Sequence, residues 1–281
     1  MPNKIIDGQA LAEKIKKNLK NKISKTSFTP GLAVILVGDD KASHLYVSLK
    51  EKACQKVGFH FEKHLFNAQT QEKEIIEKVE NLNKNSSIAG IIVQLPLPRH
   101  LDQDKIIKKI DWRKDVDGFH PFNIKKILEG QDVILPGLIK SVLALLKKAR
   151  VSPKKKKIAL LANSDVLIKP LKYILEKRGG QVEIKKQGDY FQDTTRQSDI
   201  IIIAYGRPNL IKESMIKEGA TIIDIGFNRL DDKKSVGDVD FEDVKDKVKK
   251  ISPVPGGVGP LTVAFLLENT YLSAQYLNKV K

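Results

Sequence analysis

Two side chains four residues apart carry the first hint of chemistry. In the stretch ASHLYVSLKEKA, Tyr46 and Lys50 stand one helical turn from each other, so a helix here presents both on one face. Ala42, Ala53 and Val57 fall on the same face, which is therefore expected to turn inward. An ammonium on an inward face is uncommon. Burial lowers the pKa of a lysine and lets it exchange protons near neutral pH. Spacing alone fits more often a lysine whose stem lies on apolar surface while its head reaches water. A second candidate closes the apolar run of GIIVQLPLPRH: Gln94 places an amide at the carboxyl end of a strand, where α/β proteins bind ligands, or else simply caps that strand. In RKDVDGFHPFN, Asp115 suits the turn itself, as aspartates often do. Asp117 is the better candidate to accept hydrogen bonds from the N–H groups of a ligand.

The stretch PVPGGVGPLT, residues 253–262, places Gly256, Gly257 and Gly259 among three prolines. Glycines let backbone approach a ligand closely, and Pro260 suits the first turn of a following helix whose N–H groups can meet an anion. The stretch KIALLANSDVLIKPLKYILEKRGGQVEIKK reads as strand, turn, helix and strand, the unit on which a dinucleotide would sit, yet its turn contains no glycine. The five histidines, at 44, 60, 64, 100 and 120, form no ligand cluster, so no metal is assigned. Cys54 reads as a buried helix residue with no base nearby.

The elements that must position these groups alternate along the chain. Strands are expected at 32–37, 60–66, 88–95, 158–161, 182–184, 200–204, 221–225 and 250–251, and helices at 8–24, 43–57, 71–83, 138–149, 167–177 and 260–280. That order predicts an α/β protein with mostly parallel sheets. The boundary is placed near 136–153: one domain over 1–140, with the helix of 260–281 packing back on it, and a second over 141–259. A chain of 281 residues with 41% hydrophobic and 30% charged residues is ordinary for a soluble globular protein. No apolar run approaches a membrane span, the first residues lack a signal-peptide core, and a single cysteine points to a reducing cytoplasm. The formal charge of +16 is spread over nearly every helix. No aromatic-interleaved patch or reading motif accompanies it, which argues against nucleic acid, although a basic field also attracts small polyanions.

Taken together these stretches resemble the methylenetetrahydrofolate dehydrogenase/methenyltetrahydrofolate cyclohydrolase family. IIDGQALA is similar to its opening, VGDDKASHLYVSLKEKACQKVGF to its Tyr-Lys helix, GIIVQLPLP to its glutamine strand and KDVDGFHPFN to its aspartate turn. IKEGATIIDIGFNR, VGDVDF and PVPGGVGPLTVAFLLENT match its C-terminal part. The resemblance implies a folate-binding α/β domain and a Rossmann-like doubly wound nucleotide domain, joined by long helices around a cleft. It implies a protein of the cytoplasm or an organelle, with the cytoplasm expected, usually a homodimer, acting on tetrahydrofolate derivatives with NADP or NAD. Tyr46 would then lie against the folate rings, Lys50 would be the key catalytic residue, Gln94 its neighbour and Asp117 the anchor of the pterin. Pro255, Gly256, Gly257 and Gly259 would meet substrate, and Ala162, Asn163, Ser164 and Phe227 the cofactor.

The nucleotide turn departs from the family's Gly-x-Ser-x-x-Val-Gly-x-Pro. Ala162 and Ile168 replace its glycines, and Asn163 stands where arginine is common. A branched side chain at 168 is expected to crowd phosphates at the helix start, and Asn163 cannot supply the charge that meets a 2′-phosphate. Lys185 and Lys186 are candidate replacements, or else solvated. Two rival readings follow from the departures: a monofunctional cyclohydrolase with a vestigial nucleotide site, and a folate-binding protein without turnover.

Overall fold

The computed structural model describes residues 4–231 and 234–279. They divide into two compact units, one of residues 13–137 and 263–279, the other of residues 4–12 and 138–262.

The first unit takes most of helix α1 (Gly8–Ile23) and a three-stranded parallel sheet. Strands β1 (Gly31–Val37), β2 (His60–Phe66) and β3 (Gly90–Val93) lie in the order β2-β1-β3, Gly31 opposite His60 and Leu32 opposite Gly90. All seven residues of β1 are buried, as expected of a parallel strand covered on both faces. Leu32, Val34 and Leu36 pack with Val47, Cys54 and Val57 of α2 (Lys41–Val57) and with Leu266, Leu267 and Tyr271 of the C-terminal helix. Ala33, Ile35 and Val37 face the other way, toward Ile75, Val79 and Leu82 of α3 (Glu72–Lys84) and Ile106 of α4 (Gln103–Ile107). Helix α2 starts where Asp40 accepts from the Ser43 N–H at 2.7 Å and stops at Gly58, left-handed at φ 87°. Helix α5 (Pro121–Leu128) completes the unit.

The second unit is built on a five-stranded parallel sheet. Helix α6 (Gly137–Lys148) leads into β4 (Lys157–Ala162), α7 (Asp165–Lys177), β5 (Gln181–Lys185), α8 (Gln192–Gln197), β6 (Ile200–Ala204) and β7 (Thr221–Asp224). The short ribbon β8 (Asn228–Arg229) and β9 (Ser235–Val236) follows, then α9 (Phe241–Val244), β10 (Lys250–Ile251) and α10 (Val258–Lys279). The sheet runs β5-β4-β6-β7-β10, which in order of appearance is 2-1-3-4-5. Its direction of growth reverses between β4 and β6, the place where such sheets bind ligands.

Most expected elements are present. Strand β3 is shorter than 88–95, although the Gln94 N–H still donates to Ile35 O at 2.8 Å and extends the ladder by one residue. Helices α4, α5, α8 and α9 and the β8–β9 ribbon were not foreseen, being too short for periodicity to reveal. Residues 4–12, expected with the first domain, belong to the second unit: Ile5 bridges Ile251, Ile6 N–H donates to Ile251 O and Ile251 N–H to Lys4 O. This backbone pairing outweighs sequence proximity to α1. The expected ends of the first domain and last helix, residues 1–3 and 280–281, lie outside the described residues.

Two buried aspartates tie the loops at the carboxyl ends of β6 and β7. Asp224 accepts from the N–H groups of Gly226, Asp238 and Val239 at 2.9, 3.1 and 2.9 Å. Asp238 accepts from the N–H groups of Tyr205, Gly206 and Arg207 and from Asn228 Nδ2. Only glycine fits beside each carboxylate: a Cβ on Gly226 would strike Asp238, and one on Gly237 would strike Asp224. Burial pushes the Asp224 carboxyl up to about 7, its backbone donors pulling the other way and the Asp238 charge adding to the rise. In the folded chain it holds its proton to about pH 7, whereas an unfolded aspartate releases it near 4. Unfolding therefore releases a proton between those values, and the Asp224 contribution falls as pH rises through that window, by up to about 4 kcal/mol. Urea unfolding of the wild type and Asp224→Asn at pH 5 and pH 8 should show the wild type losing more stability than the variant. Equal losses would mean a carboxylate charged at both pH values.

Candidate active site

The inward stripe of α2 runs Ser43, Val47, Cys54 and Val57, with Ala53 beside it. Ala42, expected on that face, is exposed in the first turn, because the buried spacing follows residue 43 and not 42. Tyr46 and Lys50 sit on the shoulder of the stripe, each part-buried. Lys50 Nζ donates to Gln94 Oε1 at 2.7 Å, and Gln94 Nε2 donates to Leu95 O at 2.7 Å. Backbone pairing fixes Gln94 from one side and this amide bond from the other, so Oε1 is held toward the lysine. Burial lowers the Lys50 pKa, against the attraction of Asp117 for its charged form. Burial likewise raises the Asp117 carboxyl, with Lys50 opposing, and raises the Tyr46 phenol. The Cys54 thiol, one turn beyond Lys50, is pushed up to about 12 by burial and is inert.

In the aspartate turn, Asp115 serves the turn itself, as its sequence suggests. Asp115, 1% exposed, accepts from the N–H groups of Gly118 and His120 at 3.1 and 2.8 Å and from Asn123 Nδ2 at 2.9 Å. Asp117 accepts no hydrogen bond from the described residues and lies in no ion pair. No sealed side-chain oxygen lacks a partner among those residues, so its carboxylate opens onto accessible space. An unengaged carboxylate beside a partly buried lysine is an acceptor waiting for donors. Sequence reasoning missed Lys114 and Asn123. Lys114, 5% exposed, donates to Leu82 O, Asn83 O and Asn85 O and closes the end of α3. Its neighbour Trp112 accepts from Asn123. No sequence signal marks Lys114 for such a closure, since it stands between Arg113 and Asp115 as a solvated lysine would.

In the second unit, Ser164 caps α7 through its backbone, and the Leu167 and Ile168 N–H groups bond back to its carbonyl. The Asp165 and Val166 N–H groups remain for a ligand. Ile168, expected to crowd a phosphate, is 3% exposed with its side chain in the core, as is the 1% exposed Ala162. Asn163 exchanges two hydrogen bonds with Gln187, Nδ2 to Oε1 at 3.1 Å and Gln187 N–H to Oδ1 at 2.8 Å. Lys186 donates to Asp165 at 3.0 Å, Lys169 pairs with the same carboxylate at 3.1 Å, and Lys185 pairs with Glu183 at 3.1 Å. Neither lysine of the 185–186 pair is merely solvated. Free N–H groups, Ser164 and two lysines around one carboxylate form a donor set that suits a phosphate. Phe227, after β7, is 49% exposed.

The glycine-rich loop also belongs to this unit. Gln9 N–H donates to Gly256 O at 2.9 Å. A side chain on Gly257 would collide with Ser252 and Pro253, so its bareness serves internal packing. A Cβ on Gly259 would meet nothing within 4 Å. Pro255 is exposed, and α10 begins at Val258, so Pro260 does fall in its first turn.

Residues 6–117 match the catalytic domain of tetrahydrofolate dehydrogenase/cyclohydrolase, and residues 136–278 match its NAD(P)-binding domain. The chain belongs to the tetrahydrofolate dehydrogenase/cyclohydrolase family. It is 44% identical to the bifunctional protein FolD of Nautilia profundicola over 98% of each chain, and 42% identical to that of Helicobacter pylori over 97% of each. Among solved structures, the Campylobacter jejuni FolD superimposes with a TM-score of 0.93 at 41% identity, covering 97% of this chain and 98% of that one. The Trypanosoma brucei enzyme, solved with NADP and an inhibitor, gives 0.93 at 32% identity, covering 99% and 98%. The chain is thus an enzyme of one-carbon folate interconversion, with the domains for methylenetetrahydrofolate dehydrogenase and methenyltetrahydrofolate cyclohydrolase activity.

Because Asp117 favours the charged lysine, Asp117→Asn should lower the apparent pKa of Lys50 further. With Lys50 as the proton carrier proposed below, the pH at which cyclohydrolase turnover reaches half its maximum should move to lower values. A shift to higher pH, or none, would separate the two groups.

Proposed function

We propose that Lys50, Gln94, Asp117 and Tyr46 carry the folate chemistry of this enzyme. The observation that carries the reading is the 2.7 Å Lys50–Gln94 hydrogen bond at a lysine whose pKa is lowered by burial. Hydrolysis of the methenyl cation requires water to lose a proton as it adds to the carbon, and requires a ring nitrogen to gain one as the ring opens. Lys50, as free amine, accepts the first proton at Nζ and as ammonium returns it to the departing nitrogen. Gln94 Oε1 holds one Nζ–H and so directs the rest of the group. Asp117 accepts N–H bonds from the pterin, and Tyr46 offers its half-buried ring to the flat folate. In the second unit Pro255, Gly256, Gly257 and Gly259 are the proposed backbone contacts to substrate, with Gly259 the most open.

The cofactor is NADP, as in the Trypanosoma brucei relative, or NAD. When bound, its nicotinamide accepts a hydride from the methylene carbon. The groups that would hold it are the α7 N-terminus with Ser164, the backbone at Ala162 and Asn163, and Phe227. The 10-formyl product suits formyl transfer such as purine synthesis requires, and the proposed compartment is the cytoplasm. The proposed partner is a second copy: edge strand β2 exposes Leu65 and the adjoining α2 exposes Leu45 and Leu49, apolar surface that a dimer would cover; light scattering tests for twice the chain mass, and a charged residue in place of Leu65 should then reduce it.

Lys50→Ala should abolish cyclohydrolase turnover above the spontaneous rate while folate still binds, and Asp117→Ala should weaken folate binding by about 1.5–3 kcal/mol. Residual enzymatic hydrolysis in the first variant, or unchanged folate affinity in the second, would remove the assignment concerned. NADP should bind more weakly than to a relative with arginine at position 163, by about ten- to a hundredfold, since Asn163 is engaged with Gln187. Calorimetry of both proteins side by side checks this, and equal affinities would show that Lys186 and Lys169 replace the arginine.

A further inference from the structure

The loop after β6 is held from an unusual direction. The sheet reverses between β4 and β6, so the loops leaving those strands border the crevice in which such sheets take a dinucleotide. Tyr205, Gly206 and Arg207 turn three successive N–H groups toward one point, with Gly206 left-handed at φ 69°. Successive N–H groups so arranged form an anion-binding concavity. It is filled from within: Asp238 Oδ2 accepts from Tyr205 and Gly206 at 2.6 and 3.0 Å, and Oδ1 from Arg207 at 2.7 Å. The same Oδ1 accepts from Asn228 Nδ2 at 2.9 Å, which fastens the loop after β7 to the loop after β6. Asp238 is fully buried, and Gly226 leaves the only room in which it could lie against the second loop.

We propose that Asp238 is a positioning residue for the dinucleotide: its carboxylate fixes the 205–207 wall of the crevice and the 226–228 segment bearing Phe227 in one arrangement. This rests on reading the second unit as the NAD(P) site. A corollary is that the 205–207 amides are engaged with Asp238, so the cofactor phosphates must be met by the free N–H groups at the start of α7. Asparagine at 238 would turn an NH₂ toward N–H donors and release at least one of them.

The test is Asp238→Asn, with Asn228→Ala as the milder variant that removes one donor and leaves the backbone bonds. Calorimetry of the wild type with NADP and NAD comes first: binding of neither would refute the cofactor reading itself, and the proposal with it. Given binding, Asp238→Asn should weaken it by at least about tenfold and raise the KM for the cofactor more than it lowers kcat. Hydrogen exchange at the 205–207 amides should accelerate. Methenyltetrahydrofolate hydrolysis, which consumes no cofactor, reports whether the rest of the fold is intact and should change little. Unchanged cofactor affinity in a folded variant overturns the proposal, as does a parallel fall in both activities, which would mark a general structural role. If Asp238→Asn does not fold, Asn228→Ala decides: weakened cofactor binding with faster exchange at 205–207 supports the lock, and unchanged binding refutes it.

Discussion

The first unit turns on one hydrogen bond to one ammonium. Lys50 lies on a helix that must pack its Val47–Cys54–Val57 stripe against β1 and β3, so its own position is not adjustable. The residue that receives it, Gln94, is fixed by the Ile35 carbonyl on one side and the Leu95 carbonyl on the other. On the role proposed for Lys50, an amide is the apt partner, because such a lysine changes protonation state. A carboxylate there would hold the proton through charge, whereas Oε1 accepts an N–H from ammonium and amine alike. Asp117 supplies the charge from a distance, and burial pulls the other way. Lys114 shows the contrasting solution within the same unit. Three carbonyls hold its ammonium, which suits a permanent cation at a helix terminus and leaves no lone pair for chemistry.

One device recurs through both units. Asp115, Asp224 and Asp238 each accept two or more backbone N–H groups of a loop, and each adds a link to a segment further along the chain. A loop cannot supply partners for its own backbone amides as a helix does. A buried carboxylate satisfies several together and fixes the loop in one geometry. In a chain with a formal charge of +16 these few inward carboxylates are set apart from the surface charge and serve shape.

The sequence made the frame legible because long parallel strands and amphipathic helices write their period plainly: β6 begins and ends where its apolar run does. Lys50, Gln94 and Asp117 were legible as candidates by type and place. The burial of Lys50 was not, because a residue on the shoulder of a helical stripe is inward or outward according to a rotation of a few tens of degrees. Ala42 shows the size of that error. The fate of Ile168 was hidden for a similar reason. Replacing glycine suggests a clash with a ligand only if the new side chain points at it, and here the first turn of α7 directs it into the core. Asp224 and Asp238 were hidden because a buried aspartate and a solvated one look alike in sequence. The spacing that betrays them is the pairing of each with a glycine of the other's loop, Gly226 and Gly237.

The two halves of the enzyme need not tolerate change equally, and the physical reason lies in how each uses its groups. On the proposed roles, proton transfer at a ring nitrogen depends on one lysine and its single amide partner, and misplacing either removes the step, while Asp117 tunes that lysine and anchors substrate. Holding a dinucleotide spreads the work over backbone N–H groups, a hydroxyl and scattered cations, none of which must be a particular residue. Backbone donors survive any substitution that leaves the fold alone, so Ala162 and Ile168 can replace glycines provided their side chains find the core. What cannot be replaced silently is whatever holds those backbone groups in place. In this unit that holding falls in part to Asp224 and Asp238, buried behind the loops after β6 and β7.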